Sequence, residues 1–171
     1  LQAYSPLGKE LDSLADDVTF GVAPSMIVFS LFKEVTVPSF LLPVAEYVPY
    51  AAFFIAVFSA LRLAKFNIDT RQKNSFIGLP TPANALFWSS LITGGMQWVY
   101  SLHYGWLFLL LLICLFSYFL VSEIPMFSLK FKNMSWRCNS IRYIFLLGSL
   151  PMFILGYLAP VAIISWYLVF S

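Results

Sequence analysis

The chain has 171 residues, of which 60% are hydrophobic and only 11% charged, with a formal net charge of +2. Soluble domains carry about 45–50% apolar and about 25% charged residues, so this composition cannot cover a water-facing surface. Neither a small soluble core nor a basic nucleic-acid-binding module is expected. The class that remains is an all-α, polytopic transmembrane helix bundle.

The opening "LQAYSPLGKE" has no initiator Met and none of the blocks of a signal peptide, and it reads as the middle of a longer chain. A bilayer-spanning helix needs about 20 mostly apolar residues. Six candidates follow in chain order, at about 11–32, 47–64, 82–100, 104–122, 141–157 and a short one at 160–170. Pro38, Pro43 and Pro49 punctuate the approach to the second. Trp98, Tyr100, Tyr104 and Trp106 cluster at the turn between the third and fourth, where aromatic belts form. His103 lies in that turn as an interfacial residue. Cys114 and Cys138 have no metal-ligand spacing, and no disulfide is expected.

Loop charge sets orientation. Lys9, then Arg62, Lys65, Arg71 and Lys73, then Lys130, Lys132, Arg137 and Arg142 fall on one side of this topology, and only Lys33 on the other. The positive-inside rule makes the first side cytoplasmic. It therefore places residues 8–17 and 62–82 at the cytoplasmic surface of the membrane.

The stretch "GKELDSLADD" stands directly before an apolar run. On a helix, Gly8, Asp12 and Asp16 fall at i, i+4 and i+8, so both carboxylates share one face. Gly8 lets a ligand approach the backbone one turn before Asp12. Acidic residues near a helix N-terminus gain about 0.3–1 kcal/mol from the macrodipole, which accounts for Glu10 and Asp17 as capping or solvated charges. It does not account for the stripe. A carboxylate costs about 2.5–3.5 kcal/mol at the bilayer centre and less at the interface, so a chain that keeps two there has a use for them. Two carboxylates on one face suit a hard divalent cation, with further oxygens from phosphates, waters or other carboxylates.

The spacing of Gly8, Asp12 and Asp16 resembles the second half of the signature of the CDP-alcohol phosphatidyltransferase family, D-x-x-D-G-x-x-A-R followed after a spacer by G-x-x-x-D-x-x-x-D. The first half would stand upstream of Leu1. Within the family, "LGKELDSLADDVTFGVAPS", "LRLAKFN", "FIGLPTPA" and, more weakly, "VSEIPMFSLKFK" are similar to the branch whose acceptor is serine, although the position of Lys65 is often arginine there. The resemblance implies one membrane-embedded domain over residues 1–171, lacking its N-terminal helices and working as a homodimer among membrane lipids. It implies two Mg²⁺ or Mn²⁺ ions held by the signature aspartates, with Asp12 and Asp16 as ligands and Asp16 also as general base. It implies CDP-diacylglycerol and L-serine as substrates, with phosphatidylserine and CMP as products.

Around that core, Gly8, Arg62, Lys65, Asn67 and Lys130 are the candidates for substrate binding. Arg62 and Lys65 end a helix, where cations complement the dipole, yet a bidentate Arg also reads a carboxylate well. Asn67 can read the serine amino or carboxylate group, and Lys130 is a second anion-binding candidate. Lys132, Arg137 and Arg142 fit topology charges near anionic headgroups. Gly78, Pro80 and Pro82 make a stiff entrance to the third helix. Two other readings stay open at this point: a family member with glycerol phosphate or inositol phosphate as acceptor, and a small cation- or proton-coupled transporter.

Overall fold

The structure, a computed structural model, describes residues 5–39, 42–69, 76–126 and 136–171. It is helical throughout apart from one short ladder, as the composition requires.

Helix α1 (Pro6–Asp17) starts where Ser5 takes extended backbone angles and its Oγ accepts the Gly8 N–H at 3.0 Å. Pro follows at the first helical position, where a missing N–H costs nothing. The helix does not stop at Asp17. It passes through a π turn, Val18–Val22, into α2 (Ala23–Glu34), giving a continuous apolar stretch Leu7–Glu34. Pro24 explains the wide turn: it has no N–H to donate, and its ring crowds the carbonyl four residues back, at Phe20. The Ala23 N–H reaches back to the Val18 carbonyl, and the Thr19 hydroxyl donates to the Ala15 carbonyl at 2.8 Å.

A 3₁₀ turn, Val48–Phe53, leads into α3 (Phe54–Ile68). Strand β1 (Phe76–Ile77) precedes α4 (Thr81–Ser101), and a tight turn joins α4 to α5 (Gly105–Val121). Strand β2 (Pro125–Met126) pairs antiparallel with β1, Phe76 opposite Met126 and Ile77 opposite Pro125. Helix α6 (Trp136–Ser149), a 3₁₀ segment (Leu150–Leu158) and α7 (Ala159–Phe170) complete the described chain.

Among the described residues, Leu7–Glu34, Val48–Ile68 and Asn139–Phe170 are long and apolar enough to cross a bilayer, and Gly105–Val121 is apolar but short. The last long stretch is not one rod. Gly156 takes φ 57°, and the chain reverses there. Phe145 meets Tyr167 at 5.9 Å between ring centroids, and Trp166 lies against Gly148, so the two limbs run antiparallel. The expected division between a fifth and a short sixth span holds for this reason. Helix α4 is less apolar than α5 and α7, and it is an interior helix. It packs against α2, α5, α7 and the 3₁₀ segment before α7, with Thr81, Asn84 and Ser90 buried among its apolar contacts.

One apolar cluster joins Val28, Leu31 and Phe32 of α2, Ile55 of α3, Trp88 and Leu91 of α4, and Leu109, Ile113 and Phe116 of α5. Phe87 stacks on Phe116 at 3.9 Å. The bundle has two distinct ends. At one, Tyr100 donates to the Glu34 carboxylate and Trp98 packs on Phe108 at 5.3 Å, in the aromatic turn read from the sequence. The start of α1 and the ends of α3 and α5 gather at the other, and the aspartate stripe lies there.

Candidate active site

Three helices converge on a cleft of about 330 Å³. Helix α1 contributes Lys9, Asp12, Ser13 and Asp16; α3 contributes Arg62, Leu63, Phe66 and Asn67; Pro80, Thr81 and Pro82 close it from the start of α4. The i, i+4 spacing on α1 thus delivers both carboxylates to one space. Asp12 is exposed and Asp16 half-buried.

Short-range polar contacts pin α1 to α3. Lys9 Nζ donates to the Asn67 carbonyl at 3.0 Å, and Asn67 Nδ2 donates to Ser13 Oγ at 2.9 Å. Ser13 Oγ in turn donates to the Lys9 carbonyl at 3.2 Å. The Asn67 side chain is therefore engaged in holding the cleft's two walls together. Lys9 and Ser13 did not stand out in the sequence, because a contact between residues 58 apart leaves no local pattern.

Arg62 sits deepest. It is 7% exposed, its guanidinium lies 5.5 Å from the Phe66 ring centroid, and its Nε has no hydrogen-bond partner. A buried donor left without a partner costs about 1–3 kcal/mol, more when it is charged. The negative charge of Asp16 acts on it and offsets part of that cost.

Arg62 also lines a second cavity, of about 270 Å³, on the other side of α3. Lys65, Asp69, Ile77 and residues 120–123 at the end of α5 complete that wall. Lys65 Nζ donates to the Val121 carbonyl at 3.0 Å. Lys65 therefore faces this second cavity, and Arg62 stands between the two.

The "FIGLPTPA" segment is built as the stiff entrance its glycine and prolines suggest. The Gly78 N–H donates to the Ile124 carbonyl at 3.0 Å, and the Leu79 N–H to the Phe119 carbonyl at 2.9 Å. Gly78 has φ 72°, and an added Cβ would meet the carbonyl oxygens of Leu120 and Ser122 at 2.9 Å and of Phe119 at 3.2 Å. No side chain fits there. Pro80 then caps α4 in extended conformation, which aims Thr81 and Pro82 at the cleft.

Gly8 does not line the cleft. An added Cβ would meet only Ser5 Oγ, at 3.1 Å, so internal packing does not demand glycine at this position. Lys130 lies outside the described residues, as do Lys132, Arg71 and Lys73. Among the described residues no third His, Cys, Asp or Glu joins Asp12 and Asp16 in a metal-sized cluster.

Asp17 departs from the sequence reading as a cap or solvated charge. It lies within the continuous helix Leu7–Glu34, away from the N-terminal turn where a carboxylate caps. It is half-buried, and its Oδ1 is fully covered without a hydrogen-bond partner. An added Cβ on Gly21 would lie 2.5 Å from that oxygen, 2.9 Å from Ser59 Cβ and 3.3 Å from Ala56 Cα, so Gly21 is the opening that admits both Asp17 and α3. The pairing of Asp17 with a glycine four residues on was the available signal.

A family model described as CDP-alcohol phosphatidyltransferase matches residues 1–170. The CDP-diacylglycerol–serine O-phosphatidyltransferase of Bacillus subtilis (strain 168) is 37% identical over 124 residues, covering 72% of this chain and 60% of that protein. Its counterpart in Mycobacterium leprae (strain TN) is 34% identical over 133 residues, covering 74% of this chain and 41% of that protein. The archaetidylserine synthase of Methanothermobacter thermautotrophicus is 33% identical over 88 residues, covering 52% and 34% respectively. This chain thus spans about 60% of the first relative's length and less of the other two. No solved structure matches it at comparable stringency.

Proposed function

The chain belongs to the CDP-alcohol phosphatidyltransferase family, and we propose that its cleft transfers the phosphatidyl group of CDP-diacylglycerol to L-serine, giving phosphatidylserine and CMP. The observation that carries the reading is the convergence of Asp12, Asp16, Arg62 and Asn67 from two helices on one cleft at the polar end of an apolar bundle. The serine-using relatives support the choice of acceptor.

In this reading Asp16 is the general base. Half-buried and beside Arg62, it is positioned to take the proton of the serine hydroxyl. The serine oxygen forms a new bond to the phosphorus that carries diacylglycerol, the bond from that phosphorus to the CMP oxygen breaks, and CMP leaves with the electron pair. A base of this kind contributes about 10²–10⁴-fold when it lies within hydrogen-bond reach of its proton. Arg62 holds anionic groups of donor or acceptor with its unpaired Nε edge, and Lys65 adds charge from the neighbouring cavity. Asn67 sets the cleft's width and reads the acceptor. Gly8 gives the nucleotide close approach to α1. Lys130 is kept as a further anion contact.

Asp12 and Asp16 are two hard oxygen donors on one stripe, which fits Mg²⁺ or Mn²⁺ as far as they go; further donors must come from elsewhere, because octahedral sites take six. The chemistry that such ions, two in this reading, supply when bound is neutralisation of the diphosphate charge and orientation of the leaving group. The cleft faces the cytoplasm in this proposal, supported by the side on which nine of ten Lys and Arg residues fall. A homodimer is part of the same proposal.

The test is incorporation of labelled serine into chloroform-soluble lipid by membranes containing the protein, with CDP-diacylglycerol and Mn²⁺ or Mg²⁺. Serine-dependent release of CMP with formation of phosphatidylserine is the expected result. Labelling from glycerol phosphate or inositol phosphate in place of serine would overturn the acceptor assignment. Cross-linking in membranes at low protein density reads the dimer.

A further inference from the structure

The contacts between α1 and α3 close into a ring around one residue. Lys9 Nζ donates to the Asn67 main-chain carbonyl at 3.0 Å, Asn67 Nδ2 donates to Ser13 Oγ at 2.9 Å, and Ser13 Oγ donates to the Lys9 carbonyl at 3.2 Å. Lys9 and Ser13 stand at i and i+4, so one turn of α1 grips Asn67 by both its main chain and its side chain.

The ring decides which way the amide faces. A hydroxyl carries one proton, and the Lys9 carbonyl takes the one on Ser13. Ser13 Oγ is thus an acceptor toward Asn67, and only the Nδ2 end of the amide supplies a donor. Turning the amide over would set two acceptors against each other, or make Ser13 release the Lys9 carbonyl. The back-bond itself is the ordinary seat of a hydroxyl on this helix, since Thr19 makes the same bond to the Ala15 carbonyl at 2.8 Å. With Nδ2 turned to α1, Oδ1 is the end of the amide left for the cleft that Asn67 lines. Arg62 lines the same cleft, 7% exposed and with Nε unpartnered. A cation alone reads any anion, phosphate included. An amide oxygen beside it adds a demand for a donor and repels anionic oxygens. An α-amino acid meets both demands, with a carboxylate for the guanidinium and an ammonium for Oδ1.

We propose that Ser13 is a positioning residue for acceptor specificity: it holds the Asn67 amide so that Oδ1 accepts from the ammonium of an amino-acid acceptor whose carboxylate lies on Arg62. The inference deepens the proposed function and rests on it, because it takes serine as the acceptor in the aspartate cleft. It also divides the work between the two α3 residues. Arg62 takes the carboxylate and Asn67 the ammonium, and Ser13 acts on the second contact alone.

The test is the initial rate of serine incorporation by membranes containing the full protein, its Ser13→Ala and Ser13→Thr variants, or Asn67→Ala. The competitors are 3-hydroxypropionate, which is serine without its ammonium, and ethanolamine, which is serine without its carboxylate. Ser13→Ala frees the amide to turn and raises the KM for serine about fivefold, with kcat within about twofold, the scale of one hydrogen bond. Ser13→Thr restores the parent's KM through the back-bond that Thr19 already makes. In Ser13→Ala the inhibition constant of ethanolamine rises with the KM, and that of 3-hydroxypropionate stays put. A merely structural role for Ser13 would weaken both competitors alike. Asn67→Ala raises the KM at least about tenfold, the scale of a hydrogen bond to a charged group; the two Ser13 variants decide the matter if this one does not fold. A serine KM that ignores Ser13→Ala, equal weakening of both competitors, or a Thr variant as poor as the Ala variant each overturns the inference and leaves the proposed function standing. A parent that incorporates glycerol phosphate or inositol phosphate and no serine overturns the proposed function, and this inference with it.

Discussion

Replacing Gly78 by Ala tests whether the β1–β2 ladder and the cleft are one mechanical unit. Two costs add. An L-residue at φ 72° pays about 1–2 kcal/mol for the left-handed backbone. The new Cβ also meets two carbonyl oxygens at 2.9 Å and a third at 3.2 Å. These are backbone atoms at the end of α5, which cannot swing aside as a side chain would, so the crowding adds about 1–3 kcal/mol. The sum, about 2–5 kcal/mol, shifts the unfolding equilibrium roughly 30-fold to several thousand-fold. In detergent, thermal unfolding followed by size-exclusion retention should fall by at least about 5 °C, at about 2–4 °C per kcal/mol for a chain of this length. Gly78→Asn separates the two costs. Asn tolerates the left-handed region but carries the same Cβ, so it should recover only the backbone part. An Ala variant within about 0.5 kcal/mol of the parent would refute the reasoning, since neither cost could then be real.

Asp16→Asn should lower serine incorporation by about 10²–10⁴-fold with unfolding unchanged, while the exposed Glu10→Gln stays within about twofold; activity above a tenth of the parent's rules Asp16 out as base. Lys9→Met removes the donor to the Asn67 carbonyl at 3.0 Å and should cost at most about 1.5 kcal/mol in unfolding, the range of a single hydrogen bond. A larger loss would mean that the α1–α3 tie is structural in its own right. Chelation with EDTA should abolish turnover and added Mn²⁺ or Mg²⁺ restore it, with Asp12→Asn raising the metal concentration needed; turnover that survives chelation removes the metal from the reading.

The stripe of Gly8, Asp12 and Asp16 was legible because it obeys a local rule, the spacing of a helix. Arg62 was legible for the same reason, as a cation at a helix end next to an apolar run. The division of labour among its neighbours was not. At about 100° per residue, Lys65 lies about 60° to one side of Arg62 and Asn67 about 140° to the other, and only the packing of α1 and α5 on opposite flanks of α3 decides which cavity each one faces. Asp17 was misjudged because its environment comes from Gly21 and Ser59 rather than from its own helix. The interior character of α4 was likewise invisible to hydropathy, which cannot tell a helix sheltered by others from one less suited to lipid.

The π turn at Val18–Val22 makes the first long helix two clocks set to different times. Beyond it, the buried face of α2 keeps time with the apolar cluster through Val28, Leu31 and Phe32. Before it, the stripe keeps time with the cleft it lines. One residue too many between them supplies the offset, since each residue advances a helix by about 100°. Deleting Thr19 would resynchronise the two halves, sweeping Asp12 and Asp16 away from Arg62 while the membrane face stayed as it was. A protein so altered should insert and fold yet lose turnover, and retained turnover would show that the offset is incidental. Bundle and site can therefore drift independently in sequence, provided that the length of those five residues is held.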